Sequence, residues 1–202
     1  MIHPHTEIKF ISAEIGYGVF ATQLIPTGTI TWVKDMLDQE LSPAEFEKLA
    51  PICRPVVETY TYRNNKGNYV LCWDIARYTN HSFRPNSMAT AYGFEIAVSD
   101  IKPGEQLTND YGFLNIIEPF RPSDEGTRRK TVYPDDLLKY HKQWDNTLKK
   151  ALFKSERQEQ LLKPLLSDHQ WETILKIASG ECEPESIRNN YFDAQKSPDL
   201  HG

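Results

Sequence analysis

Two periodicities divide the chain. Up to about residue 115 the apolar positions fall in short β-branched or aromatic runs separated by turn residues. Residues 8–11, 18–22, 29–33 and 69–72 read as strands, and 88–92 with 94–98 read as a hairpin joined at Gly93. Pro26-Thr27-Gly28 and Lys102-Pro103-Gly104-Glu105 have turn chemistry, since Pro presets one dihedral and Gly admits a positive one. One helix interrupts this region: Ser42 can cap it, Pro43 suits its first position, and Glu45 stands at the capping-box distance. Pro51 marks its end.

After Pro134 the apolar period becomes helical. Leu137, Tyr140, Trp144, Leu148, Ala151 and Leu152 recur at steps of mostly three or four, giving one apolar face. Asp135 and Asp136 suit the positive end of that helix. A second helical stretch is expected from Ser155 through Leu161 and Leu162, bent or broken by Pro164. A third is expected from Asp168 to Ser179, with Trp171, Ile174, Leu175 and Ala178 inward and Gly180 as the stop. The reading is a mainly β domain over 1–118 with a short helical insertion at about 42–66, a helical extension over 119–192, and a loose tail over 193–202.

Composition narrows the class. With 39% hydrophobic and 11% aromatic residues the chain can bury a core and folds. The net charge of −5 comes without any dense Lys/Arg run, so no direct nucleic-acid partner is expected. Cys53, Cys72 and Cys182 are odd in number and far apart, which excludes a disulfide framework and a thiolate zinc site. His3 and His5 read as incidental, so no metal is expected. No secretory pattern opens the chain and no run approaches ~18 apolar residues, so no membrane association is expected. An intracellular location, cytoplasmic or nuclear, follows as the expectation, with the oligomeric state open.

Three separated segments carry the chemistry. The first is Gly16-Tyr17-Gly18-Val19-Phe20-Ala21, where glycines let a backbone approach a ligand closely. The second is Arg77-Tyr78-Thr79-Asn80-His81-Ser82, followed after two residues by Pro85-Asn86. The third runs from Ile101 through Glu105 to Asn109-Asp110-Tyr111-Gly112. His81, Ser82 and Asp110 could suggest a hydrolase triad, but no Gly-x-Ser-x-Gly elbow accompanies them.

In this order the three segments resemble the motifs of SET-domain protein-lysine methyltransferases, over about residues 7–115. The resemblance implies a fold of small curved sheets, a β-clip with a pseudoknot in which the Asn80 and Tyr111 segments meet, followed here by the helical extension. It implies S-adenosylmethionine on one face and a target lysine entering through a channel from the other. Tyr111 is then the catalytic residue. Asn80 takes the cofactor's ammonium on its amide oxygen, the His81 backbone meets the adenine edge, and Gly16, Tyr17 and Gly18 form the other wall. Tyr111 also borders the cofactor, while Arg77 and Asp74 read as structural. The implied partner is a protein bearing the target lysine, histone or non-histone. The competing reading is a SET-like protein-interaction module without catalysis.

The residue types suit the reaction. A free lysine with a pKa of about 10.4 is neutral only about once in a thousand molecules near physiological pH. A neighbouring sulfonium and an apolar channel both disfavour the ammonium. What remains is alignment, exclusion of water and oxygens facing the polarised methyl, a weak contact of about 0.5–1 kcal/mol that the Tyr111 hydroxyl can supply.

The sequence also departs from the family pattern. It lacks the cysteine-rich zinc segment that in many members follows the tyrosine and completes the channel. The helical region from Pro134 onward would take that part, with Phe113, Tyr133 or Trp144 as a lid. The family's Phe/Tyr position for product number aligns with Ala89 or Asn109, neither aromatic.

Overall fold

The computed structural model describes residues 1–193, so the expected tail falls outside the described residues except for Asp193. Strands β1 (Thr6–Ser12) and β2 (Gly16–Ala21) form an antiparallel hairpin. The chain turns through Gly16 at φ 80°, a conformation only glycine adopts without strain. β3 (Ile30–Val33) follows, buried along its whole length.

The insertion comes next. β4 (Gln39–Leu41) leads into α1 (Pro43–Glu47), whose Ser42–Glu45 capping box is present as the sequence indicates. α2 (Arg54–Tyr60) falls within the expected helical insertion, although the sequence signals only one helix there. Its β-branched Val56, Val57 and Thr59 weaken the helical signal, yet Pro55 in the first turn is where a helix tolerates proline. β5 (Thr61–Arg63) and β6 (Tyr69–Leu71) then complete a sheet of order β4-β6-β5.

The remaining strands are β7 (Asn80–His81), β8 (Ser87–Ala89), β9 (Phe94–Ala97) and β10 (Thr108–Asn109). β8 and β9 make the expected hairpin and β9 pairs with β3, giving the order β3-β9-β8. β7 and β10 pair in parallel, Asn80 with Thr108 and His81 with Asn109.

α3 (Asp136–Leu152) and α4 (Asp168–Ser179) are the expected helices, and α4 ends at Gly180 with φ 81°. The stretch between them is corrected. Instead of a helix from Ser155 there are two single 3₁₀ turns, Ser155–Arg157 and Lys163–Leu165. Gln160 explains the interruption: its Oε1 accepts from Ile30 N at 2.9 Å and its Nε2 donates to Gly28 O at 2.8 Å, tying the segment to the β3 edge. Pro164, lacking an N–H, cannot extend a helix behind it.

The β3-β9-β8 sheet is covered on both faces. Ile30, Val33, Met88, Phe94 and Ile96 join Leu137, Trp144, Leu148, Leu152, Ile174 and Ile177 of the helices in one core. Val19, Ile25, Trp32, Ala97, Ile101 and Leu107 form a second core. Neighbours Ile96 and Ala97 on β9 go to different cores, as the period-two alternation of a strand requires. Each fully buried large side chain is worth about 1.5–3 kcal/mol, so the helices help hold the sheet. The architecture is the small-sheet fold with C-terminal helices that the sequence indicates.

Candidate active site

The site is built where β7 and β10 meet. Asn86 stitches the two segments together: its Nδ2 donates to Gln106 O at 2.8 Å and its Oδ1 accepts from Thr108 N at 2.9 Å. Ser82 N donates to Asn109 O at 2.9 Å. These bonds carry the Asn80-His81 segment alongside Tyr111, which enters a 3₁₀ turn capped by Asp110.

Tyr111 is held at both ends. Its backbone N–H donates to His81 Nδ1 at 3.1 Å, and its hydroxyl donates to Thr79 O at 3.1 Å. Burial pushes the phenol up to about 12, so it stays protonated near neutrality. Burial lowers His81 to about 4, leaving a neutral ring. Since Nδ1 accepts, Nε2 carries the proton, and it is buried without a partner.

Beneath the tyrosine lies an ion triad. Arg129 bonds both oxygens of Asp110 and reaches Asp136 Oδ2 at 2.6 Å, while both carboxylates are 1% exposed. The Arg129 guanidinium also stacks on Phe83 and Tyr140, 4.7 Å from each ring centre. Burial raises the Asp110 carboxyl despite the arginine beside it.

The stretch from 118 to 135 is a strap rather than a helix. Phe120 and Val132 exchange two backbone hydrogen bonds and close it on itself. The Phe120 ring lies 5.6 Å from that of Tyr111 and 5.8 Å from that of His81. Glu125 accepts from Ser82 Oγ at 2.9 Å and Phe83 N at 3.1 Å. The Ser82 hydroxyl is thus engaged away from His81, and no hydrolase triad assembles.

The expected lid is corrected too. Phe113 and Trp144 are core residues in edge-to-face contact at 5.5 Å, because the α3 apolar face turns inward onto the sheet. Tyr133 is 45% exposed, beneath Lys139. Phe120 is the aromatic that covers Tyr111.

A cavity of about 650 Å³ opens beside Tyr111, lined among others by Trp32, Tyr60, Tyr62, Glu95, Leu107 and Asn109. Of the residues singled out in the sequence for catalysis or cofactor binding, only Tyr111 lines it. Gly16, Tyr17, Gly18, Asn80 and His81 do not. They are nevertheless brought together: Asn80 Nδ2 donates to Tyr17 O at 2.9 Å. A Cβ at Gly18 would stand 2.6 Å from Gln106 Nε2 and 3.0 Å from Asn80 Nδ2. Between the two alternatives for the product-number position, Asn109 lines the cavity and Ala89 does not.

The residues that sequence reasoning missed are Glu95, Phe120, Glu125 and Arg129. Glu95 left a trace, as a lone carboxylate inside an apolar strand. The other three left none, because the strap reaches the site only through tertiary packing. Among the described residues no three His, Cys, Asp or Glu side chains are grouped to hold a metal ion. No helix among them is long and apolar enough to cross a membrane.

Residues 16–112 match the family model of the SET domain. Among solved structures, a Plasmodium falciparum protein described as a candidate histone methyltransferase is similar, with 21% identity and a TM-score of 0.40. That similarity covers 55% of this chain and 95% of the other. No curated protein matches the chain significantly.

Proposed function

By its residues 16–112 the chain belongs to the SET-domain family, and on that footing we propose that it methylates a lysine side chain of a protein substrate with S-adenosylmethionine as donor. The observation that carries the reading is the β7–β10 pair, which sets Tyr111 beside the Asn80-His81 segment at the edge of the cavity. A lysine-bearing chain is the substrate class, histone or non-histone.

The residues present fit the donor. The Gln106 Nε2 and His81 Nε2 donors are buried without partners, and Asn80 Oδ1 accepts no bond among the described residues. Two free donors and a free acceptor, beside a Gly18 whose Cβ would collide with Gln106, suit a zwitterionic, purine-bearing molecule. Asn80 would hold its ammonium, and Gly16, Tyr17, Gly18 and the His81 backbone would frame the rest. When bound, the group supplies a methyl made electrophilic by a positive sulfur.

The chain's own residues do the positioning. Thr79 O takes the Tyr111 hydroxyl hydrogen, which leaves the oxygen's lone pairs to face the reacting centre. Phe120 covers the tyrosine, and Trp32, Tyr62 and Leu107 give the cavity apolar walls that disfavour an ammonium. Orientation and exclusion of water supply most of the acceleration, since individual C–H···O contacts are worth only about 0.5–1 kcal/mol.

The test is incubation with labelled S-adenosylmethionine and a proteome extract, followed by mass spectrometry of modified lysines. The donor or its demethylated product should also stabilise the fold, by about 2.7 kcal/mol at on the order of 100 times its Kd. Asn80→Ala should weaken that effect. Neither stabilisation nor labelled lysine would end the reading.

A further inference from the structure

Glu95 sits on β9 as the one acidic residue of that strand and lines the cavity that Tyr111 also lines. Asn109 Nδ2 donates to its Oε1 at 2.7 Å, and Ser87 Oγ donates to its Oε2 at 3.1 Å. Ser87 is fixed in turn by Thr31, hydroxyl to hydroxyl at 2.6 Å. Each carboxylate oxygen therefore has one neutral donor and a lone pair to spare. Among the described residues no lysine or arginine makes an ion pair with it.

A carboxylate away from bulk water costs several kcal/mol when it has no cation. Its two neutral hydrogen bonds offset only part of that cost, and a cationic side chain entering the cavity would offset the rest. We propose, building on the site's reading as a lysine-methylating centre, that Glu95 is the base that takes the proton of the entering ammonium. Asn109 and Ser87 hold its carboxylate in place for that purpose. One N–H bond of the ammonium breaks and one O–H bond forms at Glu95. The electron pair stays on nitrogen as the lone pair that attacks, and a cation plus a carboxylate become an amine plus a carboxylic acid.

The other groups facing this carboxylate do not compete for the role. Tyr62 on β5 and Cys72 after β6 are both pushed up by burial, and a charge on Glu95 pushes them further. Tyr111 is pushed up to about 12 and keeps its proton in a hydrogen bond to Thr79 O. The Met1 ammonium acts on Glu95 only at a distance, and is paired with Asp35 at 2.9 Å. Of the charged residues lining the rest of the cavity, Glu58, Glu118 and Arg77 are exposed, and Arg63 is engaged with Gly67 O. Burial raises Glu95 itself to about 7, partly opposed by its two hydrogen bonds, which suits a base working near neutrality.

The test compares the parent with Glu95→Gln, whose amide can keep both hydrogen bonds, in the transfer of labelled methyl to a lysine peptide library across pH. Glu95→Gln should lower kcat about 100-fold near pH 7. The gap should close as pH approaches about 10.4, where lysine loses its proton unaided. Parallel profiles at all pH values would overturn the proposal, because a structural role has no reason to fade with pH. A second arm needs no methyl transfer. n-Butylammonium should shift the infrared titration of the Glu95 carboxyl to lower pH in the parent, and no such shift would overturn the proposal. A parent that methylates nothing in the library but shows this shift would instead sink the lysine-methylating reading, leaving Glu95 as the cation's partner.

Discussion

The backbone amide of Tyr111 is bonded to the ring of His81, N to Nδ1 at 3.1 Å. The bond fixes one tautomer of the imidazole and places the two rings 5.3 Å apart. It also joins motifs thirty positions apart in sequence, since β7 and β10 contribute only two residues each to their ladder. Side chain to backbone bonds from His81 and Asn86 therefore do much of the joining.

Tyr111→Phe removes one oxygen and leaves the ring against Phe120 and His81. It also leaves Thr79 O without its donor, which costs about 1–3 kcal/mol of stability. The turnover number should fall by at least about tenfold, roughly 1.4 kcal/mol of transition-state stabilisation, while donor affinity holds. Turnover, calorimetric binding and thermal unfolding on one preparation separate these effects. Turnover at the parent rate would remove Tyr111 from the chemistry.

Six of the strands (β1, β2, β3, β6, β8 and β9), both long helices and the three chemical segments were legible because each is written locally. The three-residue β4 and β5 are too short to show a period. Ser42 with Glu45 announces a cap, Gly180 a stop, and the alternation over 94–98 a strand. The two-residue strands β7 and β10 are too short to show a period, and their pairing depends on Asn86. The second expected helix failed because Gln160 finds better partners on the β3 edge than a helix would give it. Trp144 has the pattern of a core residue and of a lid alike, and only the α3 packing decides between them. Arg129 lies in a stretch without period, so its burial between Asp110 and Asp136 has no local signature.

Gly18→Ala should act on the donor rather than on the fold. The new Cβ meets only side-chain ends: Gln106 Nε2 at 2.6 Å, Ile11 Cδ1 at 2.7 Å and Asn80 Nδ2 at 3.0 Å. These can yield, but Asn80 then leaves its bond to Tyr17 O. Donor affinity should drop at least about tenfold, or about 1.4 kcal/mol, with a smaller change in stability. Gly16→Ala is the contrast, with open space around it but a φ of 80° that costs roughly 1–2 kcal/mol in stability. Unchanged calorimetric affinity in Gly18→Ala would count against the glycine wall.

Arg129→Met leaves Asp110 and Asp136 facing each other with no cation, each 1% exposed. Removing one partner of a buried ionic group costs about 3–5 kcal/mol. Combining it with Asp110→Asn and Asp136→Asn should recover part of that loss, because no uncompensated charge remains. Urea unfolding of the single and triple variants reads both numbers. A single variant within about 0.5 kcal/mol of the parent would show that the triad does not hold the strap.

Glu95→Gln should change how stability responds to pH, with a sign that can be worked out in advance. Burial raises the carboxyl from 4.5 to about 7 in the folded chain, so the fold binds this proton more tightly than the unfolded chain does. Its contribution is fully present below about 4.5 and is lost as pH rises through about 7. The loss is at most on the order of 3 kcal/mol for a shift of this size. Burial lowers His3 and His81 to about 4 from 6.5, so their contributions grow over an overlapping window with the opposite sign. Both histidines are present in parent and variant, and their terms cancel in the difference. The stability of Glu95→Gln relative to the parent should therefore increase between pH 5 and pH 8 in urea unfolding without donor or amine. Added n-butylammonium should narrow the gap at pH 8, because a bound cation offsets the parent's buried charge. A difference that stays flat across this window would mean that Glu95 meets water freely in the folded chain, and its fitness as a base near neutrality would go with it.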